Sequence, residues 1–305
     1  MTGSLRYTAP LKQPNTPKLM PATTPMKLIL QGPALDADTA KRIAALAGAT
    51  SVTPAAPRVF RVDDVADTLA NRVAVAAACQ QSGCDGAFVR ADLRLSDFKL
   101  LVMDMDSTLI TIECIDEIAD LQGLKAEVAE ITEAAMRGEL DFRASLLRRV
   151  SLLEGLAASA LDEVFSQRLQ LSPGAREMLK HMKAAGLRTV LVSGGFTYFT
   201  QRLQKELGLD VAHAIELDIV DGKLTGRVKS EIVDADVKQA TVEAESAALG
   251  VPTTAAIVMG DGANDLKMMS VAGLSVAYRA KPVVQAQASV ALNYSGLDGL
   301  LNLFY

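Results

Sequence analysis

Four short apolar runs stand out in the last two thirds of the chain: KLLVMD at 99–104, RTVLVSGG at 188–195, AAIVMGDG at 255–262 and LSVAY at 274–278. Continuous runs without alternation suit parallel strands covered on both faces. Helical patterns lie between them. After Ser172-Pro173, the residues Ala175, Met178, Leu179, Met182 and Ala185 form one apolar stripe, closed by Gly186. This is the rhythm of a doubly wound α/β domain with a parallel sheet. Two segments interrupt it. Residues 115–170 have no parallel-strand pattern and read as several helices, an inserted cap. IELDIVDGKLTGRV reads as a hairpin turning at Asp221-Gly222.

The preceding stretch has a different pattern. KLILQG, RVFRV and GAFVRADLRL read as strands, with DADTAKRIAALAGA and VADTLANRVAVAAACQQSG as helices between them. Asp36 or Asp38 lies near the start of the first helix. Together they predict a small α+β domain over 26–97, joined through LSDFK to an α/β core at 98–305. Residues 1–25 carry several prolines and polar residues with no apolar signal-peptide region, and read as a flexible tail.

Composition narrows the function. Trp is absent and aromatics make up 4% of the 305 residues, which leaves little for base stacking. The net charge of −5 argues against nonspecific nucleic-acid binding, although it allows a local site for an anion. No apolar run is long enough to span a bilayer, so no membrane partner is expected and the cytoplasm is the default compartment. Cys79, Cys84 and Cys114 lack CxxC spacing and read as core.

The chemistry-bearing residues gather where strands end. Asp104 and Asp106 follow the first run, Ser193-Gly194-Gly195 the second, and Asp261, Asn264 and Asp265 the third. In an open α/β sheet ligands bind outside the carboxyl ends of the strands. Four carboxylates from two strand ends cannot all ionise in one cleft without a cation, and hard oxygen ligands with no nearby His or Cys favour Mg²⁺. The Ser-Gly-Gly turn offers a hydroxyl and approachable N–H groups to phosphate oxygens. One Asp can attack phosphorus while the other moves protons. Glu113 lies amid Ile110, Ile112 and Ile115, an odd place for an unpaired charge. Arg149 neighbours Val150, Leu152 and Leu153, and its guanidinium suits a carboxylate.

VMDMDSTLI, LVSGG, Lys238 and GDGAND resemble the four motifs of the haloacid dehalogenase superfamily. DMDSTLITIECIDEIAD, EAAMRGELDFRASLLRRVSLLEGL, VDGKLTG and AKP extend the resemblance, through the cap, to the phosphoserine phosphatase family. It covers about Phe98 to the C-terminus. The resemblance implies Mg²⁺-dependent hydrolysis of O-phospho-L-serine through an aspartyl phosphate, the last step of serine biosynthesis. It implies Asp104 as nucleophile and Asp106 as general acid/base. Mg²⁺ would be held by the Asp104 carboxylate, the Asp106 carbonyl and the Asp261 carboxylate, with Asp265 in support. Ser193, Gly194 and Lys238 would hold the phosphoryl group, with Asn264 helping to position it. Glu113 and Arg149 would take the substrate's ammonium and carboxylate, while Met136 and Phe142 would line the cap side. Met105 stands where relatives commonly carry Phe, at a position whose backbone is the expected contact.

Two other readings stay open. The same chemistry could act on another small phosphomonoester, or the chain could be a non-catalytic switch phosphorylated on Asp. The N-terminal module reads either as an ACT-like regulatory unit or as a structural, dimerising extension, the latter making a homodimer.

Overall fold

The structure is a computed structural model that describes residues 25–136 and 139–304. All but the last residue of the expected tail at 1–25 lies outside the described residues. The N-terminal part runs β1 (Met26–Gln31), α1 (Ala37–Leu46), β2 (Thr53–Ala56), β3 (Val59–Val62), α2 (Leu69–Ser82) and β4 (Asp85–Arg90). Its antiparallel sheet has the order β2-β3-β1-β4, a ferredoxin-like βαββαβ arrangement. Asp36 caps α1, accepting from the Thr39 N–H at 2.7 Å. Thr68 caps α2 in the same way, so that helix begins at Leu69 and not within VADT. The strand expected over GAFVRADLRL stops at Arg90, where the Leu93 N–H turns back to the Arg90 carbonyl.

β1 is buried along its whole length. Successive side chains point to opposite faces. Leu28 and Leu30 meet Ile43, Phe60 and Phe88 in a core of their own, whereas Ile29 joins the core of the α/β part. Polar bonds pin the two parts. The buried Asp85 carboxylate accepts the N–H groups of Asn293, Tyr294 and Ser295 at 2.7, 3.2 and 2.8 Å. Gln31 donates to the Gly299 carbonyl at 3.0 Å.

The α/β part opens with β5 (Leu100–Met103) and passes into α3 (Cys114–Asp120), α4 (Lys125–Met136), α5 (Phe142–Ser151) and α6 (Ser159–Glu163), the cap. Then come α7 (Ala175–Ala184), β6 (Arg188–Phe196), α8 (Thr197–Leu207), β7 (Val211–Ile215), β8 (Leu217–Val220), β9 (Lys223–Val228) and α9 (Ala235–Ala248). β10 (Ala256–Gly260), α10 (Leu266–Val271), β11 (Leu274–Tyr278), α11 (Pro282–Gln285) and β12 (Val290–Leu292) complete it. The sheet has the order β12-β11-β10-β5-β6-β7 with every neighbouring pair parallel. The four apolar runs supply its four inner strands. β7 and β12, the edges, and the N-terminal β2 were not expected; all three are short, a polar residue interrupts β7, Thr and Pro open β2, and the apolar β12 has only three residues. Ala185 is exposed beyond the end of α7 and does not extend its buried stripe.

The hairpin β8–β9 turns at Asp221 and Gly222, both left-handed at φ 49° and 74°, as a two-residue primed turn requires. It docks beneath the cap, where the Gly155 and Ala158 N–H groups donate to the Leu224 and Gly222 carbonyls at 2.9 and 2.8 Å. Among the described residues, no helix is long and apolar enough to cross a membrane.

Candidate active site

From β5 the sheet grows through β6 and β7 on one side and through β10, β11 and β12 on the other. The crevice at such a reversal, outside the carboxyl ends of β5 and β10, is the natural ligand site. Asp104 follows β5 there and Asp261 follows β10, with Met103 and Met259 in register. The Asp104 N–H extends the ladder by donating to the Met259 carbonyl at 3.0 Å.

After Asp104 the chain makes a tight π-type turn over Met105–Leu109, with Ser107 left-handed at φ 54°. The Ser107 hydroxyl holds this turn by donating to the Glu113 carboxylate at 2.6 Å. Asp106 is thereby aimed across the crevice at Gly195, where a Cβ would lie 2.7 Å from Asp106 Oδ2. Glycine at 195 is therefore what admits the carboxylate. Asp106 Oδ1 accepts from the Cys114 N–H at 3.2 Å. Burial and the Glu113 charge push the Asp106 carboxyl up to about 7, against the pull of that N–H.

Lys238 rises from the first turn of α9 into the crevice with no solvent exposure. Its Nζ lies 2.6 Å from Asp104 Oδ2 and 2.7 Å from Asp265 Oδ1. Burial alone would lower the Lys238 pKa, but the two carboxylates outweigh it and leave it raised. The other oxygen of Asp265 accepts the Asp261 and Gly262 N–H groups at 3.1 and 3.0 Å, so Asp265 ties the loop after β10 to the lysine. Burial and the Asp265 charge push Asp104 upward while Lys238 opposes them. Burial, Asp265 and Glu113 raise Asp261 to about 7.

This crowding tests the fit for a cation. Oxygens of Asp104, Asp261 and Asp265 all lie within 4.8 Å of one another. Asp106 and Glu113 add charge nearby, and among the described residues Lys238 is the one ammonium paired with the cluster. One buried lysine leaves several carboxylates uncompensated, and an all-oxygen donor set suits a hard metal ion.

The remaining residues line the crevice and cap. Ser193 is fully buried inside β6, which runs on through Gly194 and Gly195 to Phe196 instead of ending before them, and its hydroxyl accepts the Gly195 N–H at 2.8 Å, leaving its own proton to donate. Gly194 lies under Phe142, the first residue of α5. Asn264, half-buried, folds its side-chain oxygen over Gly262. Glu113 is exposed, contrary to the burial implied by its isoleucine neighbours. It stands one residue before α3, so Ile110 and Ile115 turn inward while its carboxylate stays at the mouth of the crevice. Arg149 is half-buried on α5; its Nε is shielded from water without a hydrogen bond. The Arg149 charge acts on Asp116 of α3, whose carboxyl is raised by burial and held back by that arginine. Met136 ends α4, and its side chain lies outside what the structure describes.

Sequence reasoning missed Thr108. It is fully buried, and its hydroxyl donates to Asp261 Oδ1 at 3.0 Å. The only signal was its place in the DSTL run directly after the acidic pair.

A sheet of this order with acidic strand ends under a helical cap matches one class. The family model for haloacid dehalogenase-like hydrolases covers residues 98–273. A second model, for a domain of unknown function, matches residues 28–75. The chain is a haloacid dehalogenase-like hydrolase. The phosphoserine phosphatase of Polaromonas sp. is 55% identical over 217 residues, 70% of this chain and 92% of that protein. The Haemophilus influenzae phosphoserine phosphatase is 50% identical over 210 residues, 69% of this chain and 67% of that protein. Among solved structures, an unliganded probable phosphoserine phosphatase from Vibrio cholerae superposes with a TM-score of 0.78 at 36% identity. That match covers 94% of this chain and 88% of the other, so it includes the N-terminal sheet. A substrate-bound phosphoserine phosphatase superposes with a TM-score of 0.64 at 37% identity, over 68% of this chain and 99% of that one. Within its class the chain belongs to the phosphoserine phosphatase family.

Proposed function

We propose that this chain hydrolyses O-phospho-L-serine to L-serine and phosphate with Mg²⁺ as cofactor. The observation that carries the reading is the pairing of Asp104 with Lys238 in the same crevice as a second carboxyl, Asp106, whose pKa is raised to about 7. Its relatives of known name support the substrate.

In this reading an Asp104 carboxylate oxygen attacks phosphorus as the bond to the seryl oxygen breaks. Asp106, protonated, gives its proton to that oxygen. Asp106, now a carboxylate, takes a proton from the attacking water, and the Asp104–phosphorus bond breaks to release phosphate. A pKa near the working pH suits a group that must do both. Lys238 and the Ser193 hydroxyl stabilise phosphoryl oxygens, together with the Gly194 N–H. Asp104, Asp261 and the Asp106 carbonyl would hold Mg²⁺, which when bound offsets negative charge on the carboxylates and the phosphoryl group. Asp265 supports that set through Lys238 and the loop amides, and Asn264 steadies the loop. Glu113 takes the substrate's ammonium and Arg149 its carboxylate, with Phe142 closing the cap side.

The test is phosphate release from O-phospho-L-serine, with and without Mg²⁺, beside phosphothreonine and a panel of sugar phosphates. A strong Mg²⁺-dependent preference for phosphoserine is the expected result. Release from other esters alone would keep the chemistry and discard the substrate. No release from any ester would favour the phosphorylated switch.

A further inference from the structure

We propose that the cleft between the N-terminal sheet and the α/β domain binds a small amphipathic carboxylate, and that the bound molecule acts on the active site through α10. The cleft has a volume of about 570 Å³, within the range of sites that enclose small molecules. Phe88 from the N-terminal sheet and Phe98, Leu266 and Met269 from the α/β part supply its apolar surface. Two arginines reach it. Arg72 is already held by both oxygens of Asp67, which accept from its Nε and Nη2. Arg90 is paired more loosely, with Asp92 and with Asp97, which itself lines the cleft. Its Nε is shielded from water and makes no hydrogen bond; Asp92 Oδ1 stands 3.2 Å away outside hydrogen-bonding geometry, and Asp97 is 3.9 Å from Nη2. A shielded donor beside apolar walls calls for an anionic acceptor attached to an apolar body. A carboxylate fits, because it can accept two guanidinium N–H groups side by side.

The floor of the cleft leads to the catalytic loop. Leu266 and Met269 belong to the six-residue helix α10, which begins directly after Asp265. Asp265 holds Lys238 and the amides of Asp261 and Gly262. The opposite wall is fixed to the core by the Asp85 and Gln31 bonds, so a molecule filling the cleft bears on α10.

Binding is independent of the phosphatase reading, whereas the effect on rate rests on it. The full chain is titrated with phenylacetate and with its neutral counterpart phenylacetamide, followed by NMR without substrate. Phenylacetate is expected to bind saturably and phenylacetamide at least tenfold more weakly. Arg90→Gln is expected to weaken phenylacetate at least fivefold. Ser270→Trp, which plugs the cleft from an exposed position on α10, is expected to abolish binding. Saturating phenylacetate is expected to change the hydrolysis rate at least twofold in wild type and not in Ser270→Trp. No saturable binding, equal binding of the amide, or binding that survives Ser270→Trp would overturn the site. Binding that leaves a measurable hydrolysis rate unchanged would overturn the coupling through α10. A protein that binds phenylacetate but hydrolyses no ester would retain the site and reject the phosphatase reading.

Discussion

Phe142 lies directly against Gly194. A Cβ built on Gly194 would come within 3.0 Å of the tip of the Phe142 ring. The first residue belongs to the cap, at the start of a helix that Asp141 caps by accepting the Ala144 N–H at 2.7 Å. The second belongs to the strand end proposed to cradle phosphate. This contact is where the lid meets the core, and it admits a methyl at position 194 only if Phe142 or the cap gives way.

Gly194→Ala follows from it. The added methyl meets Phe142 on one side and the Val233 carbonyl, 3.3 Å away, on the other. The alanine is accommodated by lifting the cap or turning Phe142 aside, and either change disturbs a closed site. The expected loss in kcat/KM is about 100-fold, with a stability change of about 1–3 kcal/mol. Steady-state kinetics beside thermal melts separate the two. Wild-type kinetics would mean that Phe142 does not close on Gly194 during turnover.

Lys238→Met removes the ammonium shared by Asp104 and Asp265 while keeping most of the volume. Removing one partner of a buried pair costs about 3–5 kcal/mol, because the remaining charges are left uncompensated. Urea unfolding in the presence of a chelator should show a loss of that size at pH 8 and a smaller one at pH 5, where protons can take the lysine's place. Turnover should fall by about 100-fold or more. A variant as stable as wild type at pH 8 would show that the carboxylates are neutral without the lysine.

Asp106 and Asp261 are both raised to about 7 without a bound cation, from an ordinary carboxyl value of 3.8. The folded chain therefore holds more protons than the unfolded chain between about pH 4 and pH 7. Stability then falls as pH rises through that window. The contribution is fully present below the unfolded value and lost above the folded one. Mg²⁺ should reverse the trend, since it favours the ionised carboxylates that its binding requires. Chelator-treated protein is expected to melt lower at pH 8 than at pH 5, and Mg²⁺ to raise the melting temperature more at pH 8. An equal Mg²⁺ effect at both pH values would show that no proton is displaced.

What the sequence made legible follows from how each feature is encoded. The inner strands were readable because burial on both faces demands unbroken apolar runs, and the acidic pair because it terminates one of them. Edge strands such as VAHAI at 211–215 need no such run and left no signal. Lys238 sits on a helix with several polar neighbours, and nothing in its local pattern separates a buried lysine from a solvated one; only resemblance to a family picked it out. Glu113 misled for a related reason. Apolar neighbours imply burial inside a regular element, but at a helix boundary adjacent side chains diverge. Thr108 was unreadable because a turn hydroxyl and a carboxylate-orienting hydroxyl look alike until the fold brings β10 beside β5.

Thr108→Val tests that last relationship. The substitution keeps the shape and removes the hydrogen bond to Asp261, which costs about 0.5–1.5 kcal/mol of stability. Its larger effect should fall on the metal. A group that orients a ligand typically changes affinity by about 10–100-fold when removed. The Mg²⁺ concentration for half-maximal activity is expected to rise by about tenfold, with kcat at saturating Mg²⁺ close to wild type. Thr108→Ser, which restores the donor but leaves a small void, should recover Mg²⁺ affinity while losing some stability. If valine leaves the Mg²⁺ dependence unchanged, or if serine fails to restore it, Thr108 contributes packing and not ligand orientation.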